Sequence, residues 1–203
     1  MGATSYDSPG DHAAGRSVDH FAHTLISEPH TDTGAMAPAG QLWSTTGDLL
    51  RWADFLAVGH DAVLDAPTLA EMSVPVAPSD SYGLGVRVLP FNGATLIGHT
   101  GSMPGFQASL FVDRSSRDAV VVLASATTGL RPDQVPGLFL GADPVPATAP
   151  WVPTVTPVPP RVHEVLGLWF WGNTGFGFEW VGGQLVVRDL RTVEISDRFA
   201  VGD

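Results

Sequence analysis

The stretch Gly98-His99-Thr100-Gly101-Ser102-Met103-Pro104-Gly105-Phe106 concentrates residue types able to do chemistry. If it runs as a strand edge along a cleft, Gly101 lets a substrate backbone approach, Thr100 offers a hydroxyl donor and His99 a titratable one. The plainer alternative is an ordinary strand end with a turn at Met103-Pro104-Gly105. A second set lies nearer the N terminus, where His12, His20, His23 and His30 accompany Asp19 and Asp32. His20-x-x-His23 has a spacing that suits two metal ligands. Loop histidines are usually solvated, however, and ligating imidazoles need rigid supporting partners. No metal and no other cofactor is therefore expected.

Several chemistries drop out by absence. Gly-x-Ser-x-Gly, a phosphate-binding Walker loop, a dinucleotide fingerprint and His-Glu-x-x-His do not occur. Cysteine is absent, which excludes disulfides, thiolate zinc sites and cysteine nucleophiles and leaves the redox compartment open. All 10 cationic residues are arginines, because the chain has no lysine. Against 21 acidic residues they leave a formal charge of −11, which repels nucleic acid and anionic membrane surfaces. With 44% hydrophobic residues in 203, the chain can bury a core. Neither a secretory leader nor a membrane-length apolar run is present, which leans toward a cytoplasmic chain and no membrane partner.

The elements that must position these residues fall into three zones. Residues 1 to about 37 are rich in Asp, His, Ser, Gly and Pro without an apolar period and read as loop. So long a loop predicts that the chain starts in the middle of a fold. From Pro38 to Gly141 the pattern is regular. Thr45 or Ser44 caps an amphipathic helix with Asp48 in its first turn, ending near Gly59, and Asp65-Ala66-Pro67 opens a short helix through Met72. Strands are expected over Tyr82–Leu89 and Thr95–Thr100 around the hairpin signal Asn92-Gly93. Two more are expected over Phe106–Asp113 and Ala119–Ala126, around the polar turn from Arg114 to Asp118. Ala119-Val120-Val121-Val122-Leu123-Ala124 is apolar on both faces, which predicts a central strand. The fold class is thus α+β, an antiparallel sheet layered with helices.

Pro recurs at 144, 146, 150, 153, 157, 159 and 160, marking a linker over 142–160. Beyond it, Val165–Trp171, Phe176–Val181 and Gln184–Val187 read as short strands between glycine turns. Residues 161–203 are too few, at about 40, for a stable all-β domain. They are expected to be the start of a small β-rich one.

Taken together, Pro38-Ala39-Gly40-Gln41-Leu42-Trp43-Ser44-Thr45, Tyr82-Gly83-Leu84-Gly85, the His99-Thr100-Gly101 strand and the hairpin ending in Val120-Val121-Val122-Leu123 resemble a known family in order and spacing. That family is the superfamily of serine β-lactamases, D-alanyl-D-alanine carboxypeptidases and family VIII esterases, and the likeness is to its C-terminal half, over residues 1–141. The resemblance implies a β-lactamase/transpeptidase-like domain that hydrolyses an ester, amide or β-lactam through an acyl-serine. A small molecule or peptide would be the substrate. His99-Thr100-Gly101 stands where the family has Lys-Thr-Gly, so His99 and Thr100 take catalytic positions. Gly101 and Ser102 line the substrate, with the Ser102 N–H as one oxyanion donor worth about 3 kcal/mol.

The departures are as informative. The family acylates the serine of Ser-x-x-Lys and uses the tyrosine of Tyr-x-Asn. Without lysine the first motif is impossible, and the two tyrosines, Tyr6 and Tyr82, do not supply the second. Met-Gly-Ala-Thr resembles the sequence that follows the tyrosine motif in full-length relatives, so the N-terminal half of the domain is expected to be missing and the chain alone inactive. The segments Gly167-Leu168-Trp169-Phe170-Trp171-Gly172 and Asp197-Arg198-Phe199 resemble the start of a β domain appended to some actinobacterial members. Histidine in place of lysine leans toward esterase or peptidase work, since neutral imidazole pairs less well with a substrate carboxylate. Two rivals stand beside the hydrolase reading. One is a non-catalytic relative that holds a peptide or acyl ligand, the other an incomplete chain with exposed sheet surface.

Overall fold

The computed structural model describes residues 1–139, 151–154 and 156–202, so the first part of the expected linker, 142–150, lies outside the described residues. In chain order a two-stranded ribbon, β1 (Gly15–Asp19) and β2 (Thr24–Glu28), precedes three helices: α1 (Ala37–Gly40), α2 (Thr46–Val58) and α3 (Ala66–Met72). Four strands follow, β3 (Arg87–Phe91), β4 (Ala94–Met103), β5 (Phe106–Asp113) and β6 (Ala119–Ala124). After α4 (Val135–Phe139) and α5 (Pro160–His163) come β7 (Gly167–Trp171), β8 (Thr174–Val181), β9 (Gln184–Asp189) and β10 (Ile195–Ala200). The chain divides into two units, one of Met1–Gly15 with Glu28–Ala149, the other of Arg16–Ser27 with Pro150–Asp203. Among the described residues no helix is long and apolar enough to cross a membrane.

The first unit is an antiparallel sheet in the order β3-β4-β5-β6, layered with helices. Thr45 caps α2 from an extended conformation, its hydroxyl accepting from the Asp48 amide at 3.2 Å. Gly59, at φ 79°, ends the helix with its amide on the Phe55 carbonyl. Ala53, Leu56 and Ala57 of α2 bury against Val88, Ile97, Leu110 and Val112 on one sheet face. The opposite face packs Leu96, Phe111 and Val120 against Val135 of α4. Each large side chain so buried contributes about 1.5–3 kcal/mol. Asp65 caps α3 by accepting from the Thr68 amide, with Pro67 in the first turn.

The Asn92-Gly93 turn forms as expected, both residues having positive φ (46° and 81°), and fixes the register Phe91 to Ala94 through Arg87 to Gly98. The strand expected from Tyr82 begins only at Arg87, and Tyr82 contributes an isolated bridge to it. The reason is local. Leu84 N–H donates to the Met72 carbonyl, Gly83 N–H to that of Val86, and a Cβ at Gly83 would sit 2.1 Å from the Met72 oxygen. The chain is therefore held in a turn before it joins the ladder. β6, expected at the centre, is an edge strand among the described residues. Its apolar run reports two covered faces, with Ala119 and Val121 against one core and Val120 and Val122 against the other, and not strands on both sides.

The second unit is a meander in the order β7-β8-β9-β10, whose last strand was not expected. Ala22, Val162, Trp180, Val186 and Val187 are its buried apolar residues among those described. The segment read as loop is bonded in here, Phe21 O accepting from Trp180 N and His23 O from Thr154 N. Glu179 accepts from Arg188 at 2.8 and 3.1 Å and faces His23 Nε2 at 3.4 Å. The Arg188 contacts first, and His23 second, hold its carboxyl below the ordinary range.

Asp48 is buried and accepts from the Ala3 amide (2.8 Å), the Thr4 hydroxyl (2.9 Å) and Arg51 (2.6 Å). The Ala3 amide, then Thr4 and Arg51, depress its pKa below the ordinary 3.8. A depressed carboxylate stabilises the fold above its unfolded value, and the contribution is lost as pH falls through the folded one. Urea midpoints measured across the acid range should thus fall below about pH 3.8 less steeply in Asp48→Asn than in the parent. Thr45→Ala should cost about 1 kcal/mol by the same assay. Gly98→Ala, whose Cβ would lie 2.0 Å from the Leu110 carbonyl oxygen, should cost more, about 1–3 kcal/mol, since neither backbone can yield.

Candidate active site

β4 is longer than the strand on its outer side. β3 pairs with Ala94 through Gly98, whereas β5 pairs with Leu96 through Met103. His99 to Met103 therefore run past the end of β3 with one edge unpaired by a named strand. Two hairpins fix which backbone groups face that edge. The two-residue turn at Asn92-Gly93 makes Phe91 and Ala94 a hydrogen-bonded pair, so Ala94, Leu96 and Gly98 bond toward β3. The turn at Pro104-Gly105 makes Met103 and Phe106 such a pair, so Met103, Gly101 and His99 bond toward β5. Both counts agree that Thr100 and Ser102 turn their N–H and C=O groups to the open edge.

The side chains divide by the same alternation. His99 and Gly101 share the face of Leu110 and Ala108, while Thr100 and Ser102 share that of Ser109 and Gln107. His99 is exposed, with Nε2 2.9 Å from the Tyr82 hydroxyl and the two rings edge to face at 5.8 Å. Its Nδ1 donates to the Thr100 carbonyl at 2.5 Å. Thr100 Oγ1 accepts from Arg87 at 3.4 Å. Arg87 stands opposite Gly98, which places its side chain on the Thr100 face. Gly101 is closely backed, since a Cβ there would lie 3.3 Å from that of Ala108. Opposite Ser102, the Gln107 side-chain oxygen is shut from solvent without a hydrogen-bond partner. At the end of β4, Trp43 packs edge-on against Phe106 (5.3 Å), His12 (4.7 Å) and His30 (5.5 Å).

All four expected residues thus lie on one strand segment, and the strand divides them between two faces. Neither Tyr82, which entered only as the start of Tyr-Gly-x-Gly, nor Arg87 was expected among the site residues. Arg87 was within reach by counting register back from Asn92-Gly93, which sets it opposite Gly98 and hence beside Thr100. Tyr82 was not, because the turn that carries it to His99 depends on the Met72 carbonyl. Of the histidines weighed as metal ligands, His23 faces Glu179 and His12 and His30 pack on Trp43. No group of three His, Asp or Glu side chains able to hold a metal assembles among the described residues.

A family model described as beta-lactamase matches residues 2–141. Among solved structures, the octameric penicillin-binding protein homologue from Pyrococcus abyssi aligns with a TM-score of 0.56 at 20% identity, covering 94% of this chain and 45% of that one. A D-stereospecific amidohydrolase from Streptomyces sp. aligns with a TM-score of 0.55 at 21% identity, covering 70% of this chain and 44% of that one. At such identities the likeness is one of fold, and the chain spans less than half the length of these solved structures. The helix-layered antiparallel sheet, the strand that carries His99-Thr100-Gly101 and a family match over most of the residues lead to one assignment: the chain belongs to the beta-lactamase family.

Proposed function

We propose that this chain is the C-terminal part of a serine hydrolase and forms the wall that faces the nucleophile in a reaction on an ester, amide or β-lactam. The observation that carries the reading is the open edge of β4, toward which Thr100 and Ser102 turn their backbone groups. A serine hydroxyl attacks the acyl carbon, the bond to the alcohol or amine breaks as that group takes up a proton (in a β-lactam it stays tethered), and water then releases the acid from the acyl-serine. In that sequence the Ser102 N–H supplies one donor to the developing oxyanion, and Gly101 keeps the substrate backbone close. Arg87 supplies a fixed positive charge beside this edge. Its guanidinium donates to Thr100 Oγ1, which leaves the Thr100 proton free for a substrate oxygen and puts a cation where a substrate carboxylate would lie. Having no lysine, the chain cannot hold Ser-x-x-Lys, so the acylated serine belongs to a segment outside these 203 residues.

The missing lysine also favours a second reading, a relative that binds an acyl or peptide ligand without chemistry. The two part on sequence upstream of the Met1 codon. An in-frame Ser-x-x-Lys followed by Tyr-x-Asn supports the hydrolase, and a closed frame leaves the binding reading. The 203-residue chain itself should show no covalent adduct by mass spectrometry after a fluorophosphonate, and no burst on a nitrophenyl ester or chromogenic cephalosporin; either signal would refute the assignment of the nucleophile elsewhere. In the protein that carries the serine, Ser102→Pro deletes the amide donor without removing a ladder bond to β5. It should lower kcat by about 10²–10³, with KM nearly unchanged.

A further inference from the structure

Both ring nitrogens of His99 are occupied by the chain's own atoms, and the chemistry of those atoms fixes the proton. The Thr100 carbonyl can only accept, so Nδ1, 2.5 Å away, carries a hydrogen. In the neutral ring Nε2 is then a bare lone pair, and the Tyr82 hydroxyl at 2.9 Å must donate to it. The edge-to-face packing of the two rings holds that geometry. Tyr82 is itself placed by the turn that ties Leu84 N–H to the Met72 carbonyl and Gly83 N–H to Val86, so the imidazole partner comes from a segment anchored to α3.

We propose that Tyr82 is a positioning residue that holds the neutral ring of His99 in its Nδ1–H tautomer with the Nε2 lone pair covered, so that this ring offers a bound substrate neither an open base nor a free donor. On this assignment the wall acts through the Thr100 hydroxyl, the Ser102 amide and Arg87, while His99 sets shape and holds the Thr100 carbonyl in place. The proton transfers of the reaction then belong to groups other than this histidine. The proposal deepens the hydrolase reading by assigning His99 and Tyr82 their parts in the wall.

The test is the tautomer of His99, read from long-range ¹H–¹⁵N correlations of the ¹⁵N-labelled 203-residue chain at a pH about two units above the ordinary imidazole value near 6.5. Free imidazole side chains favour the Nε2–H form. The expected result is the reverse, a pyrrole-like Nδ1 and a pyridine-like Nε2 shifted by the phenol's hydrogen bond. In Tyr82→Phe the Nε2 resonance should move toward the unbonded position and the tautomers should mix, with the β4–β5 amide resonances in place as the control for folding. An Nε2–H tautomer in the parent chain overturns the proposal even if the variant does not fold, and so does a folded variant whose imidazole resonances are unchanged. The measurement needs no turnover. A failure here therefore leaves the hydrolase reading standing, and a covalent adduct on the chain would leave the Tyr82–His99 pair standing.

Discussion

The Met72 carbonyl sets where the sheet of the first unit can begin. It accepts the Leu84 amide, and Gly83 lies so close to it that no Cβ fits. The chain from Tyr82 to Gly85 is thereby kept in a turn, and β3 joins the ladder only at Arg87. Had pairing begun at Tyr82, the ladder would have covered β4 beyond Gly98, and the outer edge of His99 to Met103 would have been used up in hydrogen bonds to β3. A single carbonyl at the end of α3 thus decides that β4 has a paired half and an open half. It also brings Tyr82 to His99.

Around that constraint the energetics are ordinary. The core on the α2 side and the core on the α4 side are built from side chains that alternate along β4, β5 and β6, and the Gly98 backbone passes close to that of Leu110 at the level where the two cores end. Beyond it the same alternation continues without large apolar side chains until Met103, so His99, Thr100, Gly101 and Ser102 project from a strand whose position is fixed by burial elsewhere. Rigidity along the open half of β4 is borrowed from the core.

Much of this was legible in the sequence, and the reason is locality. Thr45, Asp65 with Pro67, and Asn92-Gly93 announce caps and a turn within a few residues of where they act, and the elements they bound were found. What was missed depends on distant partners. The edge position of β6 is invisible in a run that is apolar on both faces. The strands β1 and β2 lack a hydrophobic alternation, and the segment with them is tied down by Trp180 and Glu179, far along the chain. The strand that carries the four expected residues was readable, whereas the Tyr82 contact hung on a carbonyl of a preceding helix and the Arg87 contact on the register set by Asn92-Gly93.

The open half of β4 has a consequence for how variation in this chain is to be understood. One strand of 10 residues serves two masters, and Gly98 is the frontier. On its N-terminal side a side chain answers to packing, so that tolerance there follows volume and hydrophobicity and is felt by the whole molecule. On its C-terminal side the side chains are exposed or half-buried, so that a substitution there weighs less on the fold. Neighbouring residues of one strand therefore differ in how tightly the fold constrains them.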